Sequence, residues 1–332
     1  MLAARDKKTI VIAIIIFIFS QGLIFACIPR DNDRSIRPVV VKQGTGVAEI
    51  ANALKKEGII RSSALFMIGS LMYRGHLIAG EYELTRDMST FEIIRKMGQG
   101  KRKIYVLKII EGNNIYTIAE SVGRSGIMTR EEFLELSTDK KYLESMGIEA
   151  DSMEGYLSSN TYYYSKEIDR EKFLKKIALR TLKLFSNEDI RRKMASLGMN
   201  THQTLTLASM IEKESGAKDE KPLVSAVFHN RILKGMSLDC DPTVIYGTKG
   251  FGSPIRKIDL ATRTPYNTYM LKGYPRGPIC TPSKDSIMAA LNPAPVDYLY
   301  FVSKNDGTHV FSRDMAEHNR YVEMYQRNRT TQ

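Results

Sequence analysis

The spacing of hydrophobic residues changes several times along this chain, and each change predicts a different element. Residues Thr9–Ile28 are apolar almost throughout, interrupted only by Ser20, Gln21 and Gly22. About 20 such residues make one helical membrane span. Residues 30–38 are polar and read as a short linker. Next, Val39-Val40-Val41-Lys42, a Gly44-Thr45-Gly46 turn and Ile50–Leu54 predict a strand, a turn and a helix. The same order returns loosely at Tyr105–Lys108, Glu111–Asn114 and Ile118–Val122. Between the two copies, Ser62–Met72 has the pattern of an amphipathic helix and 79–84 that of a turn into a strand. Ser89-Thr90 cap a helix to about Met97, closed by Gly98 and Gly100. Thr129–Glu132 open another helix with a capping pattern, and 168–196 read as one long helix, polar on one face. From Phe228 onward Gly, Pro and short apolar runs alternate, with Asp241-Pro242 leading into a Val-Ile-Tyr strand. Together these predict an α+β chain with much irregular loop.

The segment Leu205–Ser215 stands apart from the rest. Leu205, Ala208, Ile211 and Ser215 share one side at helical spacing, so the helix packs into a core. Glu214 falls in its last turn, before Ser215 and Gly216 stop it. Burying a carboxyl group at such a helix end raises its pKa and makes it a proton donor at neutral pH. The alternative is an exposed Glu-Lys-Glu helix end. Glu212 is the rival acid, but two helical residues are about 200° apart, so the two carboxylates cannot face one cleft.

Composition narrows the setting. The 332 residues, 43% of them hydrophobic, suffice for two domains with real cores. Arg5, Lys7 and Lys8 precede the apolar run, placing that end in the cytoplasm and everything after Pro29 outside. A cleaved signal peptide is the alternative, and Ala26-Cys27 is faintly like a lipoprotein cleavage site, but Ile24 and Phe25 are bulky where small residues are usual. Cys27, Cys240 and Cys280 make no disulfide framework, and whether Cys240 and Cys280 pair stays open. Five scattered histidines and no Cys-x-x-Cys give no metal site, so none is expected. A net charge of +12 suits an anionic neighbour such as lipid or wall polymer. Nucleic acid is not expected as a partner of a chain placed outside the membrane.

After Glu214 come Phe228-His229-Asn230-Arg231, Asp241–Gly247, Thr264–Tyr269, Gly273-Tyr274-Pro275, Gly277-Pro278-Ile279, Ala294-Pro295 and Tyr298–Val302. In this order and spacing the series closely resembles the endolytic murein transglycosylases (MltG, or YceG-like, family), over roughly Val39 to Asn319. These readings divide the chain into a cytoplasmic tail at 1–8, a transmembrane anchor at 9–28, a linker at 29–38, a strand–helix subdomain at 39–103 and a mixed α+β catalytic domain at 104–330. The resemblance implies that 39–103 is a LysM-like α/β subdomain, with an ordinary β-α pairing as the alternative. It also implies a single-pass inner-membrane protein with that domain on the outer side. The family's catalytic acid falls on Glu214. The implied reaction cuts the MurNAc-GlcNAc β-1,4 bond of nascent glycan strands beside the peptidoglycan synthases, leaves a 1,6-anhydro-MurNAc end and uses no cofactor.

With no Trp in the chain, tyrosines must supply the rings that stack on sugars. Tyr246, Tyr266 and Tyr269 are candidates for substrate binding, with Asn230, Asn267 and Asp241 as polar partners. Asn267 is placed to reach an N-acetyl group or the Glu214 carboxyl, Arg231 to pair with Glu212 or Asp241, and His309 and His318-Asn319 to serve structural or rim roles. Asp241 is either a turn cap or a second carboxylate, and Tyr246 either core or groove. Where the family has Glu-Gly-aromatic-x-x-Pro-Asp-Thr, this chain has Glu154–Thr161 without the Pro and with Asn160 for Asp, which questions a carboxylate role there. A muramidase-type hydrolase using Asp241 as base and a non-catalytic wall-binding scaffold remain as alternatives.

Overall fold

The computed structural model describes residues 2–73, 75–249 and 254–327, with the side chains of 2–8, 15, 19, 23, 25–27 and 249 left aside. The chain forms two compact units: residues 1–106 with 163–169, and residues 107–162 with 170–332.

The first unit opens with one long helix, α1 (Leu2–Cys27). Strand β1 (Arg37–Val41) pairs antiparallel with β2 (Gly80–Leu84), Val39 opposite Tyr82 and Val41 opposite Gly80. Helices α2 (Val47–Lys56) and α3 (Ser63–Tyr73) lie between the two strands in sequence, and α4 (Thr90–Gly98) follows them. Alternation does the sorting: Val39, Val41, Tyr82 and Leu84 face a core shared with Ile50, Leu54, Phe66, Ile93, Ile94 and Met97. Ser89 starts α4 with a reciprocal cap, its own N–H donating to Glu92 Oε2 at 2.8 Å and its Oγ accepting from Glu92 N at 3.2 Å.

The polar segment after α1 is tied down. Arg30 N donates to Arg86 O at 3.1 Å, and Arg86 N donates back to Asp33 O at 3.1 Å. The Arg61 guanidinium bonds the carbonyls of Pro29 and Arg30 at 2.9 and 2.7 Å. Among the described residues no helix is long and apolar enough to cross a membrane. The side chains of the expected tail at 1–8, and that of Cys27, lie outside the described ones.

Strand β3 (Tyr105–Ile109) pairs with β4 (Asn160–Tyr164). Helices α5 (Ile115–Ser125), α6 (Arg130–Thr138) and α7 (Lys140–Glu144) separate them in sequence. Then come α8 (Arg170–Leu184), α9 (Glu188–Ser196), α10 (Thr201–Glu214), α11 (Lys221–Leu233), α12 (Asp241–Lys249), α13 (Lys257–Ala261) and α14 (Lys284–Leu291). The hairpin β5 (Tyr300–Ser303) and β6 (His309–Ser312) and helix α15 (Met315–Val322) complete the second unit.

Two expectations are corrected here. The single helix expected over 168–196 is two, because Asn187 Oδ1 accepts from Asp189 N and Ile190 N at 3.0 and 3.3 Å and starts α9 afresh. The strand expected after Asp241-Pro242 is helix α12, since proline in a first helical turn lacks only an N–H that would be unpaired anyway. Helix α10 is the hub: every residue from Thr204 to Ile211 is buried, against α11, α12 and α14. Its hydroxyls are satisfied internally, Thr204 Oγ1 donating to Asn200 O at 2.8 Å and Thr206 Oγ1 to His202 O at 2.7 Å.

Candidate active site

Glu214 ends α10 and lines a cavity of about 540 Å³, within the size range of small-molecule sites. Burial pushes its carboxyl from 4.5 up to about 7. A hydrogen bond from the Cys240 thiol and the Arg231 charge pull the value down, while the Asp241 charge raises it. At neutral pH such a group both holds and releases a proton.

Glu212, two residues earlier, turns into the protein. Its Oε2 accepts from Ser283 N at 3.0 Å, Ser286 Oγ at 2.6 Å and Lys221 Nζ at 3.1 Å. Burial works against its charge, but the Ser283 and Ser286 hydroxyls, the Ser283 N–H and Lys221 overcome it and hold the carboxyl below its ordinary value. Glu212 thus fixes the last turn of α10 onto the start of α14. The two acids serve opposite sides of one helix.

The cavity wall beside Glu214 is built by the bend before α12 and by the β-hairpin. Asp241 accepts from Tyr269 Oη at 2.7 Å, and both side chains line the cavity. Arg231 pairs with Asp239 at 2.8 Å and donates to the carbonyls of Leu299, Ser237 and Leu238, with its guanidinium 5.1 Å from the Tyr300 ring centre. The pairing with Glu212 or Asp241 expected from the sequence is replaced by this one with Asp239. Asp239 holds a left-handed φ of 49°, which turns both it and Asp241 toward the cavity. Across from these, His318 stacks on Tyr300 with ring centres 5.2 Å apart. Burial, with the Arg231 charge, holds the His318 imidazole below its ordinary pKa and therefore neutral at pH 7. His309 pairs with Glu220 at 2.7 Å, and Asn319 adds an amide to the same wall.

Of the residues expected to bind substrate, Asp241 and Tyr269 meet Glu214 here. The other four do not line this cavity. Asn230 donates its amide to the carbonyls of Val296 and Tyr298, both at 2.9 Å, and so fastens the loop before β5. Asn267 is fully buried: its Nδ2 donates to Leu260 O at 2.9 Å and Thr262 O at 2.7 Å, and its Oδ1 accepts from Tyr269 N at 3.0 Å. Its amide is therefore used on the backbone and reaches neither Glu214 nor a ligand. Tyr246 donates its hydroxyl to Glu154 Oε2 at 2.9 Å, and Tyr266 packs edge-on to Tyr246 with ring centres 4.8 Å apart. That cluster encloses a second buried acid. Glu154 Oε2 also accepts from Ile115 N at 2.8 Å, and burial raises its pKa to about 7. Asn160 Oδ1 accepts from the adjacent Thr161 N at 2.7 Å.

Sequence reasoning did not single out Tyr300 or Cys240 beside Glu214. The lining of the cavity by His309 and His318-Asn319 agrees with the rim role expected of them, and the hairpin and α15 bring them to Glu214. Cys240 and Cys280 are both free and buried. Among the described residues no His, Cys, Asp and Glu side chains gather into a set that could hold a metal.

The sequence profile of the YceG-like family matches residues 39–324. The chain belongs to the YceG-like family. Within this YceG-like chain, Glu214, Asp241, Tyr269 and His318 all fall inside the matched span, whereas α1 precedes it. It is 28% identical over 328 residues to the Bacillus subtilis protein named endolytic murein transglycosylase, covering 93% of this chain and 89% of that one. A protein of the same name from Streptococcus pneumoniae is 27% identical over 337 residues, covering 91% of this chain and 61% of the longer relative. The crystal structure of a YceG-like protein from Listeria monocytogenes superposes with a TM-score of 0.61 at 29% identity, covering 86% of this chain and 99% of that one.

Proposed function

We propose that this YceG-like protein is an endolytic lytic transglycosylase of peptidoglycan, with Glu214 as its acid and then its base. One observation carries the reading: a single carboxyl of pKa near 7 lines the cavity, while Asp241 beside it is engaged by Tyr269 and Asp239 by Arg231. Two relatives across most of the chain carry the name of that activity.

The chemistry follows from one acid. Protonated Glu214 gives its proton to the glycosidic oxygen between MurNAc and GlcNAc as the C–O bond breaks. The carboxylate so formed stabilises the oxocarbenium-like sugar and then takes the proton of the C6 hydroxyl of the same MurNAc. That oxygen closes on the anomeric carbon to give the 1,6-anhydro end. An internal hydroxyl held beside the anomeric carbon has a very high effective concentration, so it outcompetes water without a second base. The Asp241 charge next to Glu214 favours the protonated acid before reaction and the positive sugar during it.

A muramidase-type hydrolase would use Asp241 to activate water, and product ends separate the two reactions. Purified sacculi digested with the full chain are expected to yield anhydro-ended muropeptides. Reducing ends instead would establish hydrolysis, and no release at all would favour a binding scaffold.

The same proposal includes the setting. The length of α1, the apolar run at 9–28 and the basic residues before it support a single inner-membrane span with the second unit outside. The strand–helix–helix–strand order of β1, α2, α3 and β2 supports the LysM-like reading of residues 39–103 as a glycan holder. A membrane-held enzyme that cuts within strands meets new glycan first, which supports action on nascent strands in company with the synthases.

A further inference from the structure

One face in the first unit has no counterpart in the core. Helix α3 carries no charged residue in its 11 positions, SALFMIGSLMY. Only Phe66 and Ser70 are buried, whereas Met67, Ile68, Leu71 and Met72 are exposed, Leu71 to 82%. Their spacing puts Ala64, Met67, Ile68 and Leu71 on one side of the helix. Phe91 on α4 adds an exposed ring, at 47%. An exposed apolar helix face without charge, as α3 presents, marks an interaction site.

What covers it follows from how α1 is attached. Helix α1 packs against both α3 and α4. A Cβ added at Gly22 would stand 3.6 Å from Leu65 Cδ2, so the α1 backbone runs directly beside α3. Gly22 lies six residues before Ile28, about 9 Å inside the end of the apolar run at 1.5 Å per residue. No free tether intervenes, because Arg61, at the start of α3, bonds the carbonyls of Pro29 and Arg30, and Arg86 holds residues 30–33. If α1 spans the membrane, α3 therefore sits at the depth of the outer leaflet.

We infer that the exposed face of α3, with Phe91, is seated in the outer headgroup–acyl boundary of the bilayer, so that the first unit rests on the membrane instead of swinging on a linker. The inference rests on the anchor reading of α1. Apolar helix faces bind this boundary by burying about 5–10 Å into it.

The absence of tryptophan makes the test direct. Three single-tryptophan forms of the full chain, Phe17→Trp, Leu71→Trp and Leu233→Trp, are reconstituted into phosphatidylcholine–phosphatidylglycerol vesicles without bromine, or with bromine on the acyl chains either near the headgroup or near the bilayer centre, where Phe17 would lie. All three positions are well exposed, so the fold tolerates the change. Phe17→Trp reads the anchor, Leu71→Trp the seated face and Leu233→Trp the solvent. The expected result is a blue-shifted Leu71→Trp that loses most of its emission in brominated vesicles, while Leu233→Trp is unaffected. Quenching of Phe17→Trp with Leu71→Trp as bright as Leu233→Trp would overturn the seating and leave the anchor intact. An unquenched Phe17→Trp would overturn the anchor and the seating with it.

Discussion

Replacing Glu214 by Gln removes the titrating proton while keeping size and shape, and two separate readouts should respond. The first is catalysis. With a pKa near 7, Glu214 is about nine-tenths protonated at pH 6 and about one-tenth at pH 8, so release of anhydro-muropeptides should fall across that range. A positioned general acid contributes roughly 10²–10⁴ in rate, so the Gln variant should lose about that much at pH 6, with the gap narrowing about tenfold by pH 8 as the wild type deprotonates. The second readout is stability. The folded-state pKa is raised from 4.5 to about 7, so the folded chain holds this proton more tightly than the unfolded one. The contribution is fully present below about pH 4.5 and is lost as pH rises through 7. At 1.36 kcal/mol per unit the loss is at most about 3 kcal/mol, and less where the carboxyl edge meets solvent. Gln does not titrate, so the variant should gain on the wild type between pH 5 and pH 8 by up to that amount. Glu154 titrates alike in both proteins and cancels in the comparison. Urea midpoints at the two pH values, beside muropeptide release, measure both effects. A folded variant with near-normal release, or parallel stability curves for the two proteins, would refute the reasoning.

Two neighbours test the roles assigned around it. Asp241→Asn removes a negative charge that raises the Glu214 pKa, so the alkaline limb of the pH–rate profile should move to lower pH, and an unmoved limb would show that the two carboxylates do not interact. Glu212→Ala strands Lys221, which is 5% exposed, without its partner, and breaking such a buried pair costs about 3–5 kcal/mol. Thermal denaturation should reveal the loss, and a drop below about 1 kcal/mol would mean that Glu212 does not hold α10 to α14.

Local patterns read well wherever local physics decides the outcome. The caps at Ser89 and Thr129, the strand–turn–helix segments beginning at Val39 and Tyr105, and the end of α10 at Glu214 all sit where their residues pointed. The failures came where a residue had two local options or a distant partner. Asn187 looked like a helix interior position and instead caps α9, and Asp241-Pro242 looked extended and instead opens α12. Asn230 and Asn267 have the chemistry to bind an N-acetyl group, but each amide is taken by backbone carbonyls of a loop that lacks regular partners. Tyr246 and Tyr266 close around Glu154, 92 residues away from Tyr246 in sequence, a distance over which no periodicity carries information.

The pair Glu212 and Glu214 shows how one helix can hold the same side chain in two charge states. Both carboxyls are drawn from water, and desolvation is the largest influence on each. What differs is what the second side of the helix offers. Toward α14, Ser283, Ser286 and Lys221 converge on Glu212 Oε2 and stabilise the charge. Toward the cavity, Glu214 meets a thiol, a carboxylate and an arginine already engaged by Asp239 and three carbonyls. Arg231 is near enough to lower the Glu214 pKa but is too fully bonded elsewhere to form an ion pair with it. Freeing Arg231 would therefore cost the enzyme its acid. The Arg231–Asp239 contact, at the left-handed bend of Asp239, thus works in the same direction as the larger effect of burial on Glu214.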